Sequence, residues 1–228
     1  MENEASSLKK QARTAGLLFL IWIITGVYSL MYLPSQIKTG GDAATVAQNV
    51  LSHEFLFRTG IVCDVIGGAL WILLVLAFYR LFRPVSEWAA KLLVGFVAVQ
   101  VPVVFSMAAF KIASLKAFKG EILTSFEPNQ RQDLALTFLK LEDYGTLALE
   151  TFWGLWLFPL ALLVYQSRFL PRFLGIWLAI NGLAYLVLSF TGLLLPEYAD
   201  LVYKYAFPAF FGELVLMLWL LVKGVKTD

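Results

Sequence analysis

The sequence predicts an all-α protein, a polytopic membrane bundle of six transmembrane helices with both termini in the cytoplasm. Composition is the first sign: of 228 residues, 60% are apolar and 15% charged, where a soluble domain is nearer half apolar and a quarter charged. The second is that the apolar residues fall into six blocks, roughly 15–33, 57–79, 91–113, 144–165, 173–195 and 203–222, each near the length a helix needs to span lipid. The third is charge. Ten basic residues (Lys9, Lys10, Arg13, Arg80, Arg83, Lys91, Arg168, Arg172, Lys223 and Lys226) fall on one side of those blocks, against four acids, Glu2, Glu4, Glu87 and Asp228. Lys and Arg gather on the cytoplasmic side of spans.

The first block follows Lys9, Lys10 and Arg13 in the manner of a signal peptide. Its apolar core is too long for one, and Tyr32-Leu33-Pro34 follows it instead of a small-x-small cleavage site, so a retained helix is expected. Residues 42–56 read as an amphipathic outer helix, with Asp42 as N-cap and Val46, Val50, Leu51 and Phe55 at helical spacing. The second block carries Gly60, Asp64, Gly67, Gly68 and Trp71 on one stripe, where small residues let helices approach. The third contains Gln100, Pro102 and Lys111. Pro128 can start a further outer helix with Leu134, Phe138 and Leu141, running without a break into the fourth block. There Asp143, Thr146, Glu150 and Gly154 form a second stripe. Asn181 lies inside the fifth block and Glu213 inside the sixth. Pro102, Pro159 and Pro208 can kink their helices and free backbone carbonyls. No linker or low-complexity stretch divides residues 1–228, which read as one transmembrane domain.

The second-to-third and fourth-to-fifth hairpins resemble each other. Asp64 precedes Tyr79, and Glu150 precedes Tyr165, by the same 15 residues, with Arg80 and Arg168 and then a proline after each tyrosine. Duplicated hairpins frame central sites in many transport folds, although tyrosine belts and basic inner turns recur in any membrane hairpin.

Chemistry concentrates in three intramembrane carboxylates, Asp64, Glu150 and Glu213, followed six or seven residues later by Trp71, Trp156 and Trp219. Ionisable groups at membrane depth are costly and mark function by default. At about 1.5 Å per residue, all three lie roughly 9–15 Å in from the outer ends of their spans. Arg58 and Lys111 enter from the same side, while Gln100 and Asn181 lie nearer the midplane. The expected site is an outward-facing polar pocket of Arg58, Asp64, Lys111, Glu150, Glu213, Gln100 and Asn181. The bland alternative is that Arg58 and Lys111 pair with two of the acids while the third is protonated or hydrogen-bonded.

One cysteine (Cys63) and one histidine (His53) leave no disulfide and no histidine-rich metal site to expect, and no CxxCH, glycine-rich phosphate loop or GxSxG is present. No cofactor or metal is called for. A net charge of +2 without a basic, aromatic-interleaved patch excludes nucleic acid. The expected partners are membrane lipids and a small-molecule or lipid ligand, in the plasma (inner) membrane. Binding or transport of such a ligand is the leading reading. An intramembrane enzyme using carboxylate acid/base chemistry on a lipid-like substrate and a non-catalytic accessory subunit are the alternatives. Oligomeric state is left open.

A further set of segments runs the length of the chain: Ala12-Arg13-Thr14-Ala15-Gly16-Leu17, Phe57-Arg58-Thr59-Gly60-Ile61-Val62 with Asp64, Leu76-Ala77-Phe78-Tyr79-Arg80-Leu81 before Arg83-Pro84-Val85, Leu170-Pro171-Arg172-Phe173-Leu174-Gly175, Gly182-Leu183-Ala184-Tyr185-Leu186, Leu195-Pro196, and Gly212-Glu213-Leu214 before Leu218-Trp219-Leu220-Leu221. Together they resemble an uncharacterised bacterial multi-pass membrane-protein family, domain of unknown function 4386. The resemblance covers essentially the whole chain and implies a multi-span protein with no established activity. It favours Arg58, Asp64 and Glu213 over Glu150, and Glu142-Asp143 stands where relatives tend to have a histidine-containing stretch.

Overall fold

A computed structural model of the chain describes residues 2–226, with side chains from Ser6 onward. Asp228 and the side chains of Glu2 and Glu4, counted above on the inner side, lie outside the described residues. The described secondary structure is helical throughout, in the order α1 (Glu2–Val27), a π-helical turn (Tyr28–Tyr32), α2 (Leu33–Gln36), α3 (Ala43–Ser52), α4 (Glu54–Phe82), α5 (Glu87–Phe118), α6 (Pro128–Gln166), α7 (Arg172–Leu194), a 3-10 turn (Pro196–Tyr198), α8 (Ala199–Ala206), a second 3-10 turn (Phe207–Phe210) and α9 (Phe211–Val222). Among the described residues six helical segments are long and apolar enough to cross a bilayer: Ser6–Gln36, Glu54–Phe82, Glu87–Phe118, Pro128–Gln166, Arg172–Leu194 and Pro196–Val222. The chain is therefore a multi-pass membrane protein, and its spans present Leu17, Val62, Leu73, Val99, Ile180 and Leu183 outward, as lipid contact requires.

The six predicted blocks correspond to these segments, with differences at their ends. As expected from Pro128, α6 runs 39 residues without a break and joins the outer amphipathic stretch to the fourth span. α5 and α6 continue through Pro102 and Pro159. At Pro208 the chain does break, because the 3-10 turn Phe207–Phe210 separates α8 from α9. With 12 residues, α9 rises only about 18 Å, too short to cross the lipid core alone. The π-helical turn at Tyr28–Tyr32 has no counterpart in the sequence reading.

The fold divides into two compact units. The smaller holds Ile24–Ala69 and Val101–Thr146. Its core is Leu33, Ile37, Val46, Ala47, Val50, Phe57, Ile61, Ala108, Leu115, Phe118 and Leu139. α3 reaches this core through Val46, Ala47 and Val50, the face its amphipathic spacing predicts. Asp42 caps it, accepting from Thr45 N at 2.9 Å and from Thr45 Oγ1 at 2.7 Å. The backbone bond from Thr45, then the hydroxyl, holds the Asp42 carboxyl below its ordinary range. The glycine stripe of α4 splits between neighbours, with Gly60 against Leu33 of α2 and Gly68 against Phe105 of α5.

The larger unit takes the chain up to Ile23, Leu70–Gln100 and everything from Leu147 on. α6 and α7 pack antiparallel along a seam of small residues. A Cβ at Gly154 would stand 2.6 Å from the Gly182 carbonyl oxygen, and one at Gly175 2.7 Å from that of Ala161, the close approach that stabilises helix pairs in lipid. Farther along, Thr151 and Ser189 share a hydrogen bond of 2.8 Å and Ser189 donates to the Leu147 carbonyl at 3.0 Å. Phe19, Trp22, Trp71, Phe78 and Trp156 form an aromatic knot with ring centroids 5.1–6.5 Å apart, edge-to-face in most pairs. Trp71 and Trp156 thus meet, whereas Trp219 packs on Phe173.

Candidate functional site

In the smaller unit, a buried lysine on α5 is held between two carboxylates on different helices. Lys111 Nζ donates to Asp64 Oδ2 on α4 at 2.9 Å and pairs with Glu142 Oε1 on α6 at 3.2 Å. Their side chains are only 10%, 16% and 15% exposed. Breaking such a group is costly, because a buried charge is left uncompensated.

Lys111 and Glu142 also form the polar wall of a cavity of about 250 Å³. Leu30, Leu33, Pro34, Ile37, Phe57 and Leu139 make it largely apolar, while Ser29, Thr39, Asp143 and Thr146 complete the polar side. Apolar walls with a few convergent polar groups are what ligand sites look like. One of those groups is a buried hydroxyl without a partner, and another is an exposed carboxylate without an ion pair. Ser29, 7% exposed, has a buried hydroxyl with no hydrogen bond. Asp143 lies within electrostatic reach of Lys111 and of the exposed Lys140, yet among the described residues no ion pair reaches it. Thr146 on the cavity wall donates to the Glu142 carbonyl at 3.2 Å, and Tyr28 and Thr59 of the same unit share a bond of 2.6 Å.

Arg58 belongs to a surface network of the same unit. Its Nε and Nη2 donate to Glu54 Oε1 at 2.8 and 2.7 Å, and Lys119 reaches the same oxygen at 3.0 Å. Lys119 also binds Glu121 at 3.0 Å. That bond holds the Glu121 carboxyl below its ordinary range and, with Glu54, pushes the Lys119 ammonium up.

In the larger unit, Asn181 on α7 donates through Nδ2 to Glu213 Oε2 on α9 at 3.3 Å. Glu213 stands in the first turn of α9, directly after the broken segment. The buried Glu213 Oε1, Asn181 Oδ1 and Glu150 Oε2 find no hydrogen-bond partner. Tyr185, one turn beyond Asn181, lies within electrostatic reach of both glutamates. Its ring stacks on Phe210 at 4.6 Å and meets Trp153 edge-on at 5.7 Å. Gln100, fully buried, donates back to the Phe96 carbonyl at 2.8 Å and leaves its own oxygen unpartnered.

Of the residues singled out from sequence, the structure joins Asp64 to Lys111 and Asn181 to Glu213, and sets Arg58 on Glu54. Glu142 and Ser29 were not among them. The Glu142-Asp143 pair lay just outside the fourth apolar block, and its register about two turns before Glu150 was the available signal. Ser29 carried none. Among the described residues no three or more His, Cys, Asp or Glu side chains are placed to hold a metal ion.

Fold and charge pairs together define a polytopic helical membrane protein with ionisable groups inside its spans. The chain belongs to the family described as Domain of unknown function (DUF4386), whose family model matches residues 14–224. It is 29% identical over 160 residues to an uncharacterized protein of Archaeoglobus fulgidus, covering 69% of this chain and 78% of that protein. No solved structure matches.

Proposed function

We propose that this protein binds a small amphiphile with a cationic head, of the alkylamine class, in the cavity of the smaller unit, from the outer face of the plasma membrane. One observation carries the reading. Lys111 is already engaged by Asp64 and Glu142, so Asp143, an exposed carboxylate on the polar side of a largely apolar cavity, has no ion pair among the described residues. An ammonium would supply the missing positive charge, the free Ser29 hydroxyl a further hydrogen bond, and Leu30, Leu33 and Phe57 the apolar contact. A carboxylate ligand would face the same acids and be repelled.

The test is thermal unfolding of the purified full-length chain in detergent with hexylamine, and with hexanoate as the matched anion. A ligand at 100 times its dissociation constant stabilises the folded state by about 2.7 kcal/mol. Stabilisation by the amine alone, reduced in Asp143→Asn, supports the reading. Equal shifts from both compounds, or an amine shift unchanged in Asp143→Asn, contradict it.

A further inference from the structure

A second site lies in the larger unit and is independent of the amine reading. We propose that Glu213 and Asn181 form a proton-binding site, in which one proton on Glu213 Oε1 closes a two-hydrogen-bond pair between the acid and the amide.

The geometry points there by elimination. Glu213 is 9% exposed and Asn181 fully buried. One bond already joins them, from Asn181 Nδ2 to Glu213 Oε2 at 3.3 Å. The two atoms left over are Glu213 Oε1 and Asn181 Oδ1, and both are buried without a partner. With the acid ionised, two acceptors are orphaned in a medium that cannot hydrate them, a costly arrangement. A carboxylic acid and a primary amide each carry one donor edge and one acceptor edge. A proton on Oε1 turns that oxygen into a donor toward Oδ1, so a single proton satisfies both orphans at once.

Among the described residues no positive charge is placed to compensate Glu213. Tyr185 on α7 lies within electrostatic reach of Glu213, and also of Glu150 on α6 and Tyr203 on α8, and none of these groups is a base. α1 meets α9 through Gly16 against Leu220 and Leu221, which brings no charge. Among the described residues no ion pair reaches Glu213. The N-terminus of α9 favours an anion in its first turn, but the one described hydrogen bond to this carboxyl comes from Asn181. The pair also joins α7 to α9 just past the 3-10 break at Phe207–Phe210. Losing the proton would set two acceptor oxygens against each other there and loosen α9 from α7.

Infrared spectra of the full-length chain in lipid nanodiscs at neutral pH, with carbon-13 glutamate, read the proton directly. The wild type should show a protonated-carboxyl stretch that Glu213→Gln removes. That variant should unfold at no lower temperature than the wild type, since an amide pair keeps both hydrogen bonds. Asn181→Leu should move the band to the position of a carboxyl without hydrogen bonds. A spectrum in which Glu213→Gln removes no protonated-carboxyl band overturns the proposal. If Glu213→Gln does not fold, Asn181→Leu decides alone: a shifted band supports the acid–amide pair, and an unmoved band refutes it.

Discussion

Replacing Lys111 by Met removes a charge while keeping most of the side-chain volume, and leaves Asp64 and Glu142 largely buried without the cation they share. At an effective dielectric constant of about 20, attractions over 2.9 and 3.2 Å amount to about 6 and 5 kcal/mol. Desolvation of the three groups offsets much of this, and removing one partner of a buried pair costs about 3–5 kcal/mol. Thermal unfolding in detergent should therefore fall by on the order of 10 °C for a chain of this size. The informative comparison is the triple variant Lys111→Met, Asp64→Asn, Glu142→Gln. With no charge left uncompensated it should recover most of the loss, since neutral replacement of a buried ion pair is often tolerated. A single variant that loses less than about 1 kcal/mol, or a triple variant as damaged as the single one, would show that the three side chains do not act as one ion-paired group.

Further consequences can be checked with standard tools. Gly154→Val should destabilise by about 1–3 kcal/mol or more, as overpacking does, because a Cβ there meets the Gly182 carbonyl at 2.6 Å; Gly95→Ala, with no neighbour within 4 Å, should be neutral or gain up to about 1 kcal/mol of helix propensity. Capping by Asp42 makes α3 pH-sensitive. Its carboxyl lies below the ordinary range in the folded state, so its contribution is present above the unfolded-state value and is lost as pH falls through the depressed one. Amide exchange in α3, corrected for intrinsic rates, should rise at acid pH in the wild type and already be fast at neutral pH in Asp42→Ala; unchanged protection in that variant would dismiss the cap. In a Cys63→Ala background, a cysteine at Thr124 should react with an impermeant maleimide in intact cells and one at Ser86 should not; the opposite pattern would invert the topology.

The spans were legible because lipid leaves a 20-residue apolar run few alternatives, and the amphipathic pattern of α3 and the Pro128 start of α6 were legible for similar local reasons. What sequence could not supply was partnership between distant positions. Asp64 and Lys111 are 47 residues apart and Asn181 and Glu213 are 32, so the sequence could gather them in one expected pocket, with Lys111 paired to one of the acids, but could not say which residue meets which. Arg58 went to Glu54 because the two lie one helical turn apart, a local contact that competes with any deeper one. Glu142 was left out of the expected pocket because it lies just before the fourth apolar block, although the uninterrupted helix from Pro128 that carries it into the span was expected. The tryptophan spacing after each acid was a real regularity with two outcomes, as Trp71 and Trp156 meet while Trp219 turns to Phe173. The break at Pro208 shortens α9 and gives the last span its own geometry.

Binding of a cationic amphiphile beside Asp143 is tested most directly by photolabelling the full-length chain in lipid with a diazirine-bearing alkylamine and mapping the adducts. The predicted result is labelling at the cavity residues Leu30, Leu33, Phe57 and Leu139, suppressed by excess hexylamine and by Asp143→Asn. Adducts spread over outward-facing residues such as Leu17, Val62 and Leu183, unaffected by competitor or variant, would contradict it.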